Sequence, residues 1–74
     1  MYPNPVREQL IFETGGESFS GQLALWNLLG EKIREITVRD AQRVEIPVAD
    51  LRQGVYFLKV MNGEKSEVFR ILKK

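Results

Sequence analysis

Short apolar runs that alternate with polar residues recur along the whole chain, each stopped by Gly or Pro. The stops are Pro3 and Pro5, Gly15-Gly16, Gly21, Gly30, Pro47, Gly54 and Gly63. Strands separated by turns at this pace predict an all-β sandwich or barrel. Residues 8–13 form the first predicted strand, with Leu10 and Phe12 on one face and Ile11 on the other. Residues 22–27 form the second, placing Leu23 and Leu25 on one face and Ala24 and Trp26 opposite. In the third, 32–39, Ile36 and Val38 point together while Ile33 falls out of register, which predicts a bulge near Arg34. Val44 and Ile46 mark a short fourth strand ended by Pro47, a residue that cannot donate to a ladder. Residues 55–61 are apolar on both faces at their start (Val55, Tyr56, Phe57, Leu58), as a central strand is.

The connections are also readable. Asn62-Gly63 between apolar strands predicts a type I′ hairpin that pairs 55–61 with 64–72. Asn27-Leu28-Leu29-Gly30, with Asn first and Gly fourth, predicts a type I turn joining the second and third strands. Residues 48–53 are expected to make a single helical turn. Asp50, just before Leu51-Arg52-Gln53-Gly54, is expected to bond the backbone and fix that turn. No stretch has the length and caps of an amphipathic helix.

Seventy-four residues give one domain with a thin core, because a chain this short buries only a modest part of its unfolded surface. A deep, water-excluded active site would consume most of that core. Hydrophobic residues at 43% and charged ones at 28% are too apolar for disorder, and no run is long enough to cross a membrane. Eleven Lys and Arg stand against ten Asp and Glu. The basic residues are scattered among acidic ones, so neither nucleic acid nor membrane insertion is expected. With no cysteine there is no disulfide framework. The start Met1-Tyr2-Pro3-Asn4-Pro5 lacks the charged and apolar regions of a signal peptide. It reads as the end of a connection from an upstream portion, with Met1 an added initiator.

Chemistry is hard to place on these residues. Histidine is absent, which removes the commonest general base and metal ligand. Ser18, Ser20 and Ser66 have no imidazole to activate them, and Lys65 points to the opposite strand face from Ser66. The carboxylates of Glu8, Glu13, Glu17, Glu31, Glu35, Asp40, Glu45, Asp50, Glu64 and Glu67 are spread singly, without the alternating pattern of a calcium loop. No catalytic residue, metal or cofactor is expected. Trp26 could be a sugar-stacking platform, but large aromatics more often supply core in small domains. Tyr56 is expected in the core, its hydroxyl reaching the rim.

Four segments then line up in order. Tyr2-Pro3-Asn4-Pro5, Leu25-Trp26-Asn27-Leu28-Leu29-Gly30-Glu31-Lys32-Ile33, Leu51-Arg52-Gln53-Gly54-Val55-Tyr56-Phe57-Leu58-Lys59-Val60 and Arg70-Ile71-Leu72-Lys73-Lys74 resemble the type A C-terminal sorting domain of proteins exported by the type IX (Por) secretion system of Bacteroidetes. Arg70 stands where that family more often has Lys, and Trp26 where it more often has Tyr or another β-former. The resemblance implies an immunoglobulin-like antiparallel β-sandwich of about six to seven short strands. It also implies that 1–74 is the excised end of a larger secreted passenger, sent to the periplasm and then to the outer membrane surface or the exterior. The implied partners are the type IX translocon and a sortase-like C-terminal signal peptidase that removes the domain and anchors the cargo.

Recognition is expected on the segment 63–74, through Gly63, Arg70, Ile71, Leu72, Lys73 and Lys74, with the terminal cations giving charge complementarity. Asn27, Gly30, Asp50, Gly54, Asn62 and Gly63 are expected to be structural turn residues. The competing reading is a carbohydrate-binding or fibronectin-like accessory module. It requires several coplanar exposed aromatics, yet one Trp, two Tyr and four Phe must also fill the core.

Overall fold

The structure, a computed structural model, describes residues 8–74. Among the described residues six strands follow one another: β1 (Gln9–Glu13), β2 (Phe19–Asn27), β3 (Lys32–Ala41), β4 (Arg43–Pro47), β5 (Gly54–Asn62) and β6 (Lys65–Lys73). All pairings among these strands are antiparallel. β1 and β4 form one sheet, and the other has the order β3-β2-β5-β6. This is the strand partition of an immunoglobulin-like sandwich, with β1 and β4 in the places of strands B and E and β3, β2, β5 and β6 in those of C′, C, F and G. A seventh strand is not among the described residues.

Alternation decides which residues meet between the sheets. Leu10 opposes Ile46 and Phe12 opposes Val44 across β1 and β4. The facing sheet supplies Leu23, Leu25, Val38, Tyr56, Leu58, Val60 and Ile71, and Val48 plugs the core just after β4. Phe12 and Phe19 meet edge to face, their ring centroids 5.3 Å apart, the orientation that the ring quadrupoles favour. β5 lies between β2 and β6. Its early residues need apolar character on both faces for that reason.

Three local expectations change. The helical turn predicted over 48–53 is a single β-turn, in which Leu51 N–H donates to Val48 C=O at 3.1 Å. The hairpin loop is Gly63-Glu64, since Asn62 pairs with Lys65. Gly63 has φ 62° while no positive φ occurs at Asn62 or Glu64, so the turn is type II′, with Gly at its first central position, and not type I′. This places Met61 opposite Ser66; an Asn-Gly loop would have placed it opposite Glu64. A shift of two residues keeps every side chain on its face.

β2 also starts earlier than alternation indicated, at Phe19. Gly21 permits this: a Cβ there would come 2.1 Å from the carbonyl oxygen of Met61, so only glycine lets β5 approach. Beside it the β2–β3 register shifts between Phe19 and Gly21. Asp40 takes a left-handed φ of 49° there, and its N–H donates to Ser20 Oγ at 2.9 Å.

Candidate functional site

The segments 25–33, 51–60 and 70–74 converge on one end of the four-stranded sheet, where β2 and β6 finish and β3 and β5 begin. The Tyr2-Pro3-Asn4-Pro5 segment lies outside the described residues. Asn27 organises the first corner. Its carbonyl accepts from Gly30 N–H at 3.1 Å, and its N–H donates to Glu31 C=O at 3.0 Å. Its Oδ1 accepts from the N–H groups of Leu29 and Glu31, both at 2.9 Å, and its Nδ2 donates to Glu31 Oε1 at 2.9 Å. Gly30 completes the turn with φ 85°. One side chain thereby satisfies the backbone donors that a tight turn leaves unpaired.

The second corner is built on Tyr56, whose ring is buried and whose hydroxyl donates to Arg52 C=O at 2.9 Å. A tyrosine at the start of this strand, bonded to backbone a few residues upstream, is the tyrosine corner of immunoglobulin-like sandwiches. Gly54, with φ 149°, leads from that loop into β5. A third tie crosses the end of the sandwich. Arg34, pointing inward opposite Leu25, donates from Nη2 to Asp50 Oδ1. The Arg34 guanidinium holds the Asp50 carboxyl below the ordinary carboxylate value, with smaller help from the residue's own backbone N–H and from nearby Lys73. The bond seen for Asp50 therefore runs across the fold to β3, where an Asx turn onto 51–54 had been expected.

Between these corners the outer face of the sheet is set by register. One row runs Lys32–Trp26–Phe57–Arg70 and the next Glu35–Ala24–Lys59–Val68, while Val55 and Leu72 pair beyond the first row. The bulge comes from Ile33, the extra residue between the Leu25–Arg34 and Trp26–Lys32 pairs. Trp26 is half-buried, and Lys32 Nζ stands 5.9 Å from its ring centroid. The indole thus belongs neither to the core nor to a bare platform. Leu28 at 68%, Leu29 at 85%, Val68 at 61%, Leu72 at 41% and Ile33 at 37% exposure are the exposed large hydrophobic residues among those described. All five lie on the four-stranded sheet or its β2–β3 turn.

The terminal segment divides by strand period. Ile71 and Lys73 are buried, at 3% and 7% exposure, and Lys73 Nζ donates to Lys74 C=O at 2.7 Å. Arg70, Leu72 and Lys74 are exposed. A receptor meeting the folded domain reaches these three, while Ile71 and Lys73 are held inside by alternation. Asn62 and Gly63 lie at the far end of the sheet. Phe57, Lys59 and Val68 were not singled out from sequence, although their places two and four residues apart on β5 and β6 carried the signal.

The far end holds a cleft of about 370 Å³ whose lining includes Phe12, Glu13, Glu17, Phe19, Lys65 and Phe69. Among the described residues no three His, Cys, Asp or Glu side chains gather as a metal site, and no helix is long and apolar enough to cross a membrane. No curated protein matches the chain, and no solved structure does. The family model described as "Secretion system C-terminal sorting domain" matches residues 1–74. With the whole length covered and three of the four sequence segments meeting at one end of the predicted sandwich, the chain belongs to the family of secretion system C-terminal sorting domains.

Proposed function

We propose that this domain is the export address of a longer protein. The carrying observation is the family match over residues 1–74: the domain is a C-terminal sorting signal for type IX secretion, and its work is to be recognised. Our finer reading is that it is of type A, from a member of the Bacteroidetes, and that a passenger precedes it in the chain. The passenger passes through the periplasm to the outer membrane surface or the exterior. A sortase-like C-terminal signal peptidase then removes the domain and exchanges it for a surface anchor. What supports this reading is the set of motifs at one end of a rigid sandwich, held by Asn27, by the tyrosine corner and by the Arg34–Asp50 pair. An address needs a fixed shape and a readable surface, and it needs no nucleophile.

The test is a periplasm-targeted reporter carrying residues 1–74 at its C-terminus, expressed in a type IX-competent bacterium. Surface or medium localisation that disappears in a translocon-deficient strain is expected. Retention in the periplasm of the competent strain contradicts the proposal. Deleting 63–74 is a poor test, because it removes the core residue Ile71 together with the exposed ones.

A further inference from the structure

We propose that the cleft at the far end of the sandwich, together with the free edge of β1, binds an extended polypeptide segment that sets basic side chains around an apolar one. The inference stands apart from the sorting reading and concerns the end of the sheet away from Asn27 and Tyr56.

The cleft exists because two strands cover four. β6 turns Ile71, Phe69, Glu67 and Lys65 toward the β1–β4 sheet, since side chains two residues apart share a face. Ile71 is buried and Phe69 half-buried, whereas Glu67 and Lys65 are exposed. β1 ends at Glu13, and the cleft opens between that end and the uncovered part of β6, with Phe12, Phe19 and Phe69 in its lining. The wall made by residues 14–18 is tied in place. Thr14 Oγ1 donates to Glu17 C=O, and Gln42 Nε2 donates to Gly16 C=O at 3.0 Å. A ligand therefore meets a shape already formed, which lowers the cost of binding.

Charge selects the side chains of the occupant. Glu13, Glu17 and Glu67 stand in the lining against Lys65. The ion pairs among the described residues, Lys32–Glu35, Arg34–Asp50 and Arg43–Glu45, use none of these four. This end is anionic in a chain whose net charge is +1, so the phosphates of nucleic acid and of anionic lipid are repelled from it. Among the described residues no three acidic side chains gather as a metal site, and the complement is separate cations on long side chains. Lys and Arg suit both parts of the lining, because they pair with carboxylates and are attracted to aromatic faces.

The β1 edge selects a polypeptide. Among the described residues β1 pairs with β4 alone. Glu8 C=O accepts from Val48 N–H at 2.9 Å, and Thr14 N–H donates to Gln42 C=O at 3.1 Å. Leu10 and Phe12, in phase with them, face β4, and the backbone groups of Gln9, Ile11 and Glu13 point away from it. Such an edge pairs with another extended chain, whose alternate side chains then reach the neighbouring cleft. The edges of β3 and β4 are blunted instead. β3 carries the bulge at Ile33 and the left-handed Asp40, and β4 ends in Pro47 beside the Arg43–Glu45 ion pair.

The experiment titrates the purified 74-residue chain with a short peptide of alternating leucine and lysine, followed by calorimetry and amide exchange. Saturable binding is expected, with exchange at the Ile11 and Glu13 amides slowed about tenfold or more. Two altered peptides isolate the two contacts without touching the fold: one with glutamate in place of lysine, one N-methylated along one backbone edge. Each is expected to bind about tenfold or more weakly, the factor that 1.4 kcal/mol sets. Glu17→Lys/Glu67→Lys, at two exposed positions, is expected to reverse the preference between the lysine and glutamate peptides, with folding checked by melting. Should that variant fold poorly, the altered peptides carry the test.

No binding of the lysine peptide at about 1 mM, the weak end of measurable affinity, overturns the site. Equal binding of the N-methylated peptide overturns strand addition, and equal binding of the glutamate peptide overturns the selection by charge. Binding that leaves exchange at Ile11 and Glu13 unchanged overturns the location. None of these outcomes involves export, so the sorting reading and this one fail separately.

Discussion

The two faces of the four-stranded sheet are made from the same strands yet are governed by different constraints. On the inner face Leu23, Leu25, Leu58 and Ile71 are at most 3% exposed and meet β1, β4 and Val48 across the core. On the outer face, one residue away along each strand, Trp26 and Phe57 are half-buried, Val68 and Leu72 stay exposed, and Lys59 and Arg70 interrupt the apolar rows. The difference separates what the domain needs to fold from what it can present. A small sandwich has little core to spare, so large apolar side chains left on its outer surface are evidence of contact with something else.

That comparison can be broken most directly by truncating one residue on each face. Leu58→Ala leaves a cavity under β5 and is expected to cost about 3 kcal/mol, measured as the urea midpoint at constant slope. Val68→Ser, one strand over and facing out, is expected within about 0.5 kcal/mol of the parent. Similar losses at both positions would mean that the outer face is structural. Tyr56→Phe keeps the ring and removes its bond to Arg52 C=O, for an expected loss of about 1 to 1.5 kcal/mol. Asn27→Ala removes the acceptor shared by Leu29 and Glu31; because the turn is exposed, we expect about 1 kcal/mol. Amide exchange at Leu29 and Glu31 should accelerate in that variant more than exchange in the core of β5.

The smallest effect is expected from acid. Asp50 has a lowered folded pKa, so the stability it adds is present above the ordinary Asp value of about 3.9 and is lost as pH falls through the lowered value. The carboxylate is largely exposed, which keeps the contribution small. Asp50→Asn should be slightly less stable than the parent at neutral pH, with the gap closing on acidification. A gap that widens toward low pH would contradict the Arg34 pairing as its cause.

Much of this architecture was legible because strand period is a strong signal. Leu10 and Phe12 share a face as read, Ile33 is the bulge, β5 is central, and Tyr56 is a core residue with its hydroxyl at the rim. The features that were not legible depend on backbone approach between distant residues. Nothing local to Gly21 announces Met61 C=O beside it, and no local pattern marks the left-handed Asp40. The Asn62-Gly63 pair misled because Gly alone, at the first central position, suffices for a type II′ turn. In the candidate site the sequence reading names residues 70–74 together, while strand alternation turns Ile71 and Lys73 inward and Arg70, Leu72 and Lys74 out. The outer face then needed the pairing of four strands, which no single segment contains.

We read the inner face as what makes the domain and the outer face as what makes it an address. The direct test is surface export of the reporter plotted against melting temperature for inner-face variants such as Leu58→Ala and outer-face variants such as Val68→Ser and Lys59→Glu/Arg70→Glu. Inner-face variants are expected to lose export in step with stability, while outer-face variants lose export at parental melting temperature. If every variant falls on one line, so that export follows stability alone, the outer face is not what is read and the claim fails.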